Sequence, residues 1–417
     1  MTGFSMTAKL DVDFVRSQFP AFSEPSLQGQ AFFENAGGSY TCRQVIDRLH
    51  RFYTERKVQP YGRYAASAAG GAEMDEARTR LAALMNVETD ELSFGPSTSQ
   101  NTYVLAQAFA DTLSPGDAVI VTDQDHEANS GAWRRLENRG MEIREWRINP
   151  ESGQLELDSL AAILDDKVKL VCFPHCSNVV GQENPVAQIA AMAHDVGAVT
   201  CCDGVSYAPH GLPDVGALGT DIYLFSSYKT YGPHQGIMVV RRALADRLVN
   251  QAHFFNADVR YKRLTPAGPD HAQIAACAGM ADYIDAIYTH HHGGEAAPAD
   301  RARAVAALQR GHEDRVLAPL LDYLGSRNDA RILGRKELGT ETGRVPTVAL
   351  HTAKPAEEIA ISLAEHGVMA GEGNFYAVRT IGAMGCDPNA GVLRLSFVHY
   401  TTDAEVQQLM KGLDACL

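Results

Sequence analysis

Lys229 and Asp203 are the two side chains whose types and surroundings most favour chemistry. Lys229 follows the apolar segment Ile222–Phe225 and stands among aromatic, glycine and proline residues, so we expect it to be partly desolvated. Desolvation lowers the pKa of a lysine and frees its amine to attack an aldehyde. Asp203 ends the apolar segment Ala198–Cys202, where a carboxylate needs a cationic partner such as a protonated pyridine nitrogen. The alternatives are an exposed loop lysine and a helix N-cap aspartate.

A polar cluster follows each of five predicted strands. The clusters are Thr98–Gln100, Asp125–His126, Asn178, Asp203 and Ser226–Lys229. Because ligands bind beyond the carboxyl ends of parallel strands, we expect these clusters to form one site. Thr98 and Ser99 open a predicted helix, where hydroxyls and free amides either bind phosphate or form an ordinary N-cap. His126 is either a ring that stacks on a cofactor or a core histidine.

Arg394 is a charge inside the apolar segment Gly391–Phe397. Such a residue needs an anionic partner, and its planar fork fits a carboxylate. That partner is either a substrate carboxylate or a structural salt bridge.

The elements that must position these residues alternate between strand-like and helix-like patterns. Alternation of this kind, with continuous apolar strands, predicts an α/β fold with a mostly parallel sheet covered on both faces. A long predicted helix from Pro298 to Leu324 begins a second α/β region. We therefore predict an N-terminal segment (1–25), a large domain (26–290) and a small C-terminal domain (291–417). Apolar runs predict strands at Ala118–Thr122, Val168–Phe173, Ala198–Cys202 and Ile222–Phe225.

Composition narrows the classes of partner. The chain has 417 residues, 45% of them hydrophobic, and a formal net charge of −14, which disfavours nucleic acid and anionic membrane surfaces. We expect no membrane span and no secretory signal, and hence a cytoplasmic protein. The eight cysteines lack the spacing of a disulfide framework or a zinc site, and the run His290–His292 has no acidic or thiolate partner nearby in sequence. We therefore predict no metal site.

With these residues in place, the chain resembles the class V aminotransferase and cysteine desulfurase group of fold type I pyridoxal-phosphate (PLP) enzymes over nearly its whole length. Asp203 and Lys229 lie 26 residues apart, a spacing similar to that of the family. The resemblance implies a mostly parallel seven-stranded sheet in the large domain, a smaller C-terminal α/β domain, and a homodimer. It is carried by the motifs Phe33–Gly38, Asp125–Asn129, His175–Gly181, Asp203–Val205, Asp221–Pro233 and Arg394–Tyr400.

The resemblance also implies roles for individual residues. Lys229 would form the internal aldimine with PLP, Asp203 would pair with the pyridine nitrogen and His126 would stack on the ring. The second subunit usually completes the phosphate site, and the stretch Ala267–His271 sits where that contribution originates. The further residues implied for the cofactor are Thr98, Ser99, Asn178, Ser206, Ser226, Tyr228 and His271. Those implied for the amino acid substrate are Arg394, Asn178, Asn35 and Tyr376.

Three positions depart from the desulfurase pattern. Ser206 stands where desulfurases have a glutamine, and Tyr228 stands where they have a histidine. The loop before Arg394 normally carries the cysteine that accepts sulfur, but here it reads Gly371–Ala377 and Tyr376 falls near that place. A tyrosine cannot accept persulfide sulfur, so we expect a divergent subfamily that lacks this step.

The motifs favour one reaction without excluding others. The expected reaction is β-elimination of a sulfur leaving group from a cysteine-like substrate, with Lys229 as general base. A class V aminotransferase is the first alternative, and a non-catalytic PLP-fold binding protein is the second. Tyr376 either acts as an acid on the leaving group or fills the mouth of the site.

Overall fold

A computed structural model describes residues 9–266, 268–339 and 343–417 of the chain. The helices are α1 (Val12–Ser17), α2 (Arg43–Arg51), α3 (Ala65–Leu84), α4 (Thr98–Ala110), α5 (Glu127–Arg134), α6 (Leu157–Ala161), α7 (Val186–Asp195), α8 (Val215–Leu218), α9 (Arg242–Ala245), α10 (His271–Ala276), α11 (Ala278–His291), α12 (Pro298–Gly325), α13 (Ala356–Glu365), α14 (Val378–Ala383) and α15 (Asp403–Cys416). The strands are β1 (Ala31–Phe33), β2 (Leu92–Gly95), β3 (Ala118–Thr122), β4 (Glu142–Trp146), β5 (Val168–Pro174), β6 (Val199–Asp203), β7 (Ile222–Ser226), β8 (Gly236–Val240), β9 (Ala330–Ile332), β10 (Thr347–Thr352), β11 (Val368–Gly373) and β12 (Val392–Ser396).

Two kinds of feature are absent from the described ranges. No helix in them combines the length and the apolar character that crossing a membrane requires. The same ranges contain no group of three or more His, Cys, Asp or Glu side chains that could hold a metal ion.

The larger sheet has seven strands in the order β2-β8-β7-β6-β5-β3-β4. All of its strands run parallel except β8, which is antiparallel to both neighbours. Its side chains alternate between two hydrophobic clusters: Val121 packs with Trp133 on one face, and Ile120 packs with Leu81 on the other. Helices therefore cover both faces, as the continuous apolar strands predicted. The predicted mostly parallel seven-stranded sheet is confirmed.

The five strands predicted to supply the site all point the same way. β8 lies between β2 and β7 and is antiparallel to each, so β2 is parallel to the rest of the sheet. The carboxyl ends of β2, β3, β5, β6 and β7 consequently meet at one edge.

The smaller sheet has five strands in the order β1-β11-β12-β10-β9. β1 pairs in parallel with β11, so residues 31–33, which fall in the range predicted for the large domain, belong to the sheet formed mainly by the C-terminal region. β11 extends to Gly373 and pairs with β12. The loop expected to begin at Gly371 therefore starts only after Gly373.

Candidate active site

A cavity of about 180 Å³ lies at the carboxyl edge of the larger sheet. It brings together nine residues predicted for the cofactor. These are Thr98, Ser99, His126, Asn178, Asp203, Ser206, Ser226, Tyr228 and Lys229. Sequence reasoning missed four other polar or sulfur-bearing residues of the wall, namely Ser97, Gln124, Cys176 and His234.

Lys229 lies in a single helical turn directly after β7 and is buried. Within the described residues, its ammonium makes no hydrogen bond or ion pair, and it faces the cavity. Burial, together with the positive charge of Arg394, lowers the pKa of Lys229 to about 8, against the opposing effects of Asp203 and Glu34. A buried amine of this kind is available as a nucleophile near neutral pH.

Asp203 is the last residue of β6 and is also buried. Its Oδ1 accepts a hydrogen bond from the Val205 N–H at 2.8 Å, which fixes the carboxylate at the cavity wall. Burial raises the pKa of Asp203 to about 6, although the Val205 N–H and the charge of Lys229 lower it. A cation in the cavity would hold this carboxylate in its ionised form.

His126 is the N-cap residue of α5. Its Nδ1 accepts a hydrogen bond from the Ala128 N–H at 3.0 Å, so the ring carries its proton on Nε2 when neutral. Burial, together with the positive charges of Lys229 and Arg394, lowers the pKa of His126 to about 3. The side chain is therefore a neutral flat ring at the cavity wall, which suits stacking against a positively charged aromatic ring.

An anion-binding corner is formed where α4 begins. Ser97, rather than the predicted Thr98, is the N-cap residue, and its hydroxyl accepts from the Gln100 N–H at 3.1 Å. Thr98 Oγ1 lies 2.8 Å from Ser226 Oγ. The first N–H groups of a helix have no intrahelical partner, so they and these hydroxyls suit a phosphate.

Gly236, at the start of β8, allows this corner to form. A Cβ atom on Gly236 would lie 2.4 Å from the carbonyl carbon of Ser97 and 2.7 Å from the Thr98 nitrogen. Backbone cannot yield as a flexible side chain can, so only glycine fits here.

Two aromatic rings form part of the wall. Tyr228 stacks on His234, with ring centroids 4.8 Å apart and planes 9° apart. Burial raises the pKa of Tyr228, and Asp203 raises it further, so its hydroxyl stays protonated. The tyrosine therefore offers a neutral hydroxyl where the desulfurase pattern has a histidine.

Arg394, on β12, is buried but already carries an ionic partner. Its Nη2 donates to Glu34 Oε1 at 2.6 Å, and its Nη1 donates to the carbonyl oxygen of Asn178 at 3.3 Å. The Phe375 ring lies 3.7 Å from the guanidinium carbon. Burial lowers the pKa of Arg394, which Glu34 opposes. No local sequence pattern indicates Glu34 as the partner of Arg394.

The segment after β11 packs beside the cavity, against Asn178 and the start of α5. Asn178 Nδ2 donates to the Phe375 carbonyl at 3.0 Å, and the Glu127 N–H donates to the Tyr376 carbonyl at 2.7 Å. Phe375 and Tyr376 have φ angles of 51° and 55°, which are unfavourable for aromatic residues. The Tyr376 ring is 71% exposed and lies 5.4 Å from the His126 ring, so it stands at the mouth of the cavity.

Four predicted site residues are not among those that line this cavity, namely Arg394, Tyr376, Asn35 and His271. Asn35 lines a small adjoining cavity with Lys229 and Ser206, but its amide is bonded to Tyr400 and Ser396. His271 lines a separate cavity of about 280 Å³. Ala267, the first residue of the predicted partner-contributed stretch, lies outside the described residues.

The cysteines are all free and buried. Cys176 lines the cavity, but burial raises the pKa of its thiol well above the ordinary value, so it is protonated. Cys386 follows α14, and burial raises its pKa too. The segment from Asn374 to Ala377 contains no thiol.

Comparison with known proteins identifies the family. Residues 31–409 match the family described as aminotransferase class-V. The chain belongs to this family. An aminotransferase-like protein, FGM3 of Gibberella zeae, is 32% identical over 99% of this chain and 100% of its own. A cysteine desulfurase of Cronobacter sakazakii is 29% identical over 96% of each chain. The crystal structure of the Escherichia coli cysteine desulfurase CsdA superposes with a TM-score of 0.80 and 21% identity, covering 97% of this chain and 98% of that one.

Members of the class V aminotransferase and cysteine desulfurase group use PLP, and this class V chain is a PLP-dependent enzyme with the type I fold. The cavity fits that cofactor on four counts. Lys229 offers an unpaired buried amine for the aldehyde, and Asp203 offers a carboxylate for the pyridine nitrogen. His126 supplies a neutral ring for stacking, and the start of α4 supplies donors for the phosphate.

Proposed function

We propose that this class V enzyme eliminates a sulfur leaving group from the β-carbon of an amino acid. The observation that carries the proposal is the buried amine of Lys229, which has no hydrogen-bond partner among the described residues and shares one cavity with Asp203 and Asn178. The carbonyl of Asn178 in turn accepts a hydrogen bond from Arg394. In overall terms, the amino acid and water give pyruvate, ammonia and a thiol or sulfide. The motif set around Asp203 and Lys229, most similar to that of desulfurases, favours elimination at a carbon–sulfur bond.

The residues would divide the work as follows. Lys229 would hold PLP covalently through Nζ, Asp203 would keep the pyridine nitrogen protonated and His126 would cover the ring. Thr98, Ser99 and Ser226 would bind the phosphate. When bound, PLP supplies an electron sink for a carbanion at the carbon that bears the amine.

Lys229 would also move the proton. With substrate bound, the Lys229 Nζ would be free and would remain buried in the cavity that holds the substrate. With its pKa near 8, the amine removes the α-proton as general base. The Cβ–S bond then breaks with its electron pair on sulfur, and a proton from Lys229 or Tyr376 neutralises the leaving group.

We infer that sulfur leaves directly rather than through an enzyme persulfide. That transfer needs a thiolate that reaches the substrate. The thiols of Cys176 and Cys386 have raised pKa values, and the segment at the cavity mouth presents Phe375 and Tyr376 instead. Sulfide would therefore appear in solution without an acceptor protein.

A class V aminotransferase is the second candidate, because FGM3, which is 32% identical over nearly both full chains, is called aminotransferase-like. A non-catalytic PLP-binding protein is the third, and the intact Lys229, Asp203 and His126 speak against it.

One experiment separates the three candidates. The holoenzyme is mixed with cysteine, cystine, cysteine sulfinate or alanine while cofactor absorbance, pyruvate, sulfide and ammonia are followed. Catalytic release of pyruvate and sulfide or a thiol supports elimination, and its loss in Lys229→Ala is the control. Stoichiometric conversion to pyridoxamine phosphate supports the aminotransferase. Binding without turnover across this panel, with cofactor still attached, contradicts the elimination proposal.

We also propose that the enzyme is a homodimer whose second subunit helps to complete the phosphate site. Phe254 and Phe255 are 86% and 68% exposed, and such large apolar side chains favour burial against a partner. His271 lies outside its own subunit's main cavity, which suits a role in the other subunit. Sedimentation of Phe254→Ser/Phe255→Ser at micromolar concentration tests this, with a shift toward monomer expected.

The remaining proposals concern binding partners and the cellular compartment. The substrate is a small amino acid, and the net charge of −14 disfavours nucleic acid. Eight free buried cysteines fit a reducing compartment, and we propose the cytoplasm. Fractionation of the producing cells tests that location.

A further inference from the structure

The position proposed for the substrate carboxylate already contains a carboxylate from the chain. Glu34 Oε1 lies 2.6 Å from Arg394 Nη2. Glu34 follows β1, Arg394 lies on β12, and the two elements are joined by a parallel bridge between Glu34 and Ser396. The pair is therefore held by backbone geometry and not by two flexible surface side chains.

Arg394 has little capacity for a second anion while Glu34 is in place. Nη2 is bonded to Glu34, Nη1 is bonded to the Asn178 carbonyl, and Phe375 covers the guanidinium. Among the described residues, Nε is buried without a hydrogen-bond partner. One N–H group stays free on each nitrogen, but a second carboxylate on the same guanidinium would lie beside the negative charge of Glu34. Substrate therefore binds best when Glu34 leaves Nη2.

The fold makes room for the Glu34 side chain with two glycines. A Cβ atom on Gly371 would lie 2.2 Å from Glu34 Oε2, and one on Gly37 would lie 2.7 Å from Glu34 Oε1. Gly371 is also the register partner of Arg394 across β11 and β12. Within the described part of the chain, Glu34 Oε2 is buried without a hydrogen-bond partner, so the carboxylate is only half satisfied by Arg394. A half-satisfied pair is one that a better bidentate ligand can displace.

We propose that Glu34 is a specificity-determining residue that competes with the substrate carboxylate for Arg394. With Glu34 on Arg394, the site disfavours ligands that carry a carboxylate. An amino acid substrate binds by displacing Glu34, and a bare amine does not need to. This inference rests on the proposed role of Arg394 in the amino acid site.

Binding of two half-substrates to the holoenzyme tests the inference. Propionate carries the carboxylate without the amine and is titrated by calorimetry. Ethylamine carries the amine without the carboxylate and is titrated through cofactor absorbance. In Glu34→Gln, the Kd of propionate should fall by about tenfold or more, because a neutral amide competes poorly for a buried guanidinium. The Kd of ethylamine should not fall, because ethylamine carries no carboxylate and gains nothing from the loss of Glu34.

Glu372→Gln is the matched control, since it removes the same charge from an exposed position on the neighbouring strand. It should change neither Kd. Should Glu34→Gln fail to fold, Glu34→Asp shortens the side chain by one methylene and should tighten propionate binding in the same direction.

Arg394→Gln distinguishes failure of the role proposed for Glu34 from failure of the proposed carboxylate site. Loss of propionate binding in Arg394→Gln, together with tighter binding in Glu34→Gln, supports the proposal. If Arg394→Gln loses binding but Glu34→Gln leaves it unchanged or weaker, Glu34 merely positions Arg394 and the inference is wrong. If propionate binds equally well to Arg394→Gln, the proposed carboxylate site itself is wrong.

Discussion

The charges around Lys229 predict opposite effects for two neighbouring substitutions. Arg394 lowers the pKa of Lys229, and Glu34 raises it. Removing the arginine in Arg394→Gln should raise the lysine pKa for two reasons, because a repelling cation is lost and the Glu34 carboxylate is left uncompensated. Removing the carboxylate in Glu34→Gln should lower it. We expect each change to be about one pH unit, as for charges in direct contact in a buried site.

The effect of the lowered pKa on wild-type reactivity follows from the fraction of the Lys229 amine that is neutral at pH 7. An ordinary lysine has a pKa of 10.5, whereas that of Lys229 is about 8. Because each pH unit is a factor of ten in protonation, this difference gives roughly 300-fold more neutral amine at pH 7. Only the neutral amine attacks an aldehyde, so attachment of PLP to the apoprotein should be faster by a similar factor.

The assay is the rate of cofactor attachment to apoprotein as a function of pH. Visible absorbance follows the reaction, and reduction with borohydride followed by peptide mapping assigns the adduct to Lys229. Nα-acetyl-lysine treated in parallel reports the titration of PLP itself, which is divided out. The corrected midpoint should lie near 8 in the wild type, above it in Arg394→Gln and below it in Glu34→Gln. A midpoint near 10.5, or displacement of both variants in the same direction, would refute the electrostatic reasoning.

Three further predictions address the cofactor, stability and the anion corner. Asp203→Asn should weaken PLP binding by about a hundredfold or more, measured by absorbance titration, because a buried ion pair is lost. Burial lowers the pKa of His175 to about 3, so this side chain is neutral in the folded protein, and stability should fall as the pH drops below about 6.5. His175→Gln should reduce the slope of the unfolding free energy against pH by up to about 1.4 kcal/mol per pH unit. Urea unfolding between pH 4 and 6.5 measures this slope. Gly236→Ala should lower both the melting temperature and the affinity for inorganic phosphate, whereas Gly325→Ala, whose Cβ would meet nothing within 4 Å, should change neither appreciably.

The strands that carry the site could be predicted well because burial on both faces leaves a continuous apolar run. The predicted strand Ala118–Thr122 has the observed bounds, and two others end one residue early. The fourth, Ala198–Cys202, is displaced by one residue from the observed Val199–Asp203. A parallel sheet also brings the carboxyl ends of its strands together, so eight of the nine polar residues could be predicted to meet from local pattern and one rule of topology. The ninth, Ser206, is implied only by the family resemblance.

Strand direction and long-range pairing could not be predicted in the same way. The apolar run Gly236–Val240 contains nothing that fixes its direction, yet β8 is the one antiparallel strand that the described larger sheet contains. β1 pairs with Val368–Gly373, more than three hundred residues further along the chain. No local signal connects such segments, so the exchange of β1 into the smaller sheet appears only in three dimensions.

A single charge in an apolar strand, such as Arg394, predicts an oppositely charged partner but not which residue or ligand that partner is. The sequence left open a substrate carboxylate and a structural salt bridge, and the structure contains the salt bridge, with Glu34 at 2.6 Å. The two alternatives exclude each other only if the resident pair is fully satisfied. Among the described residues, Glu34 Oε2 and Arg394 Nε are both buried without hydrogen-bond partners, so the pair is incompletely bonded. A ligand carboxylate could therefore replace Glu34 on Arg394 without breaking a fully satisfied ion pair.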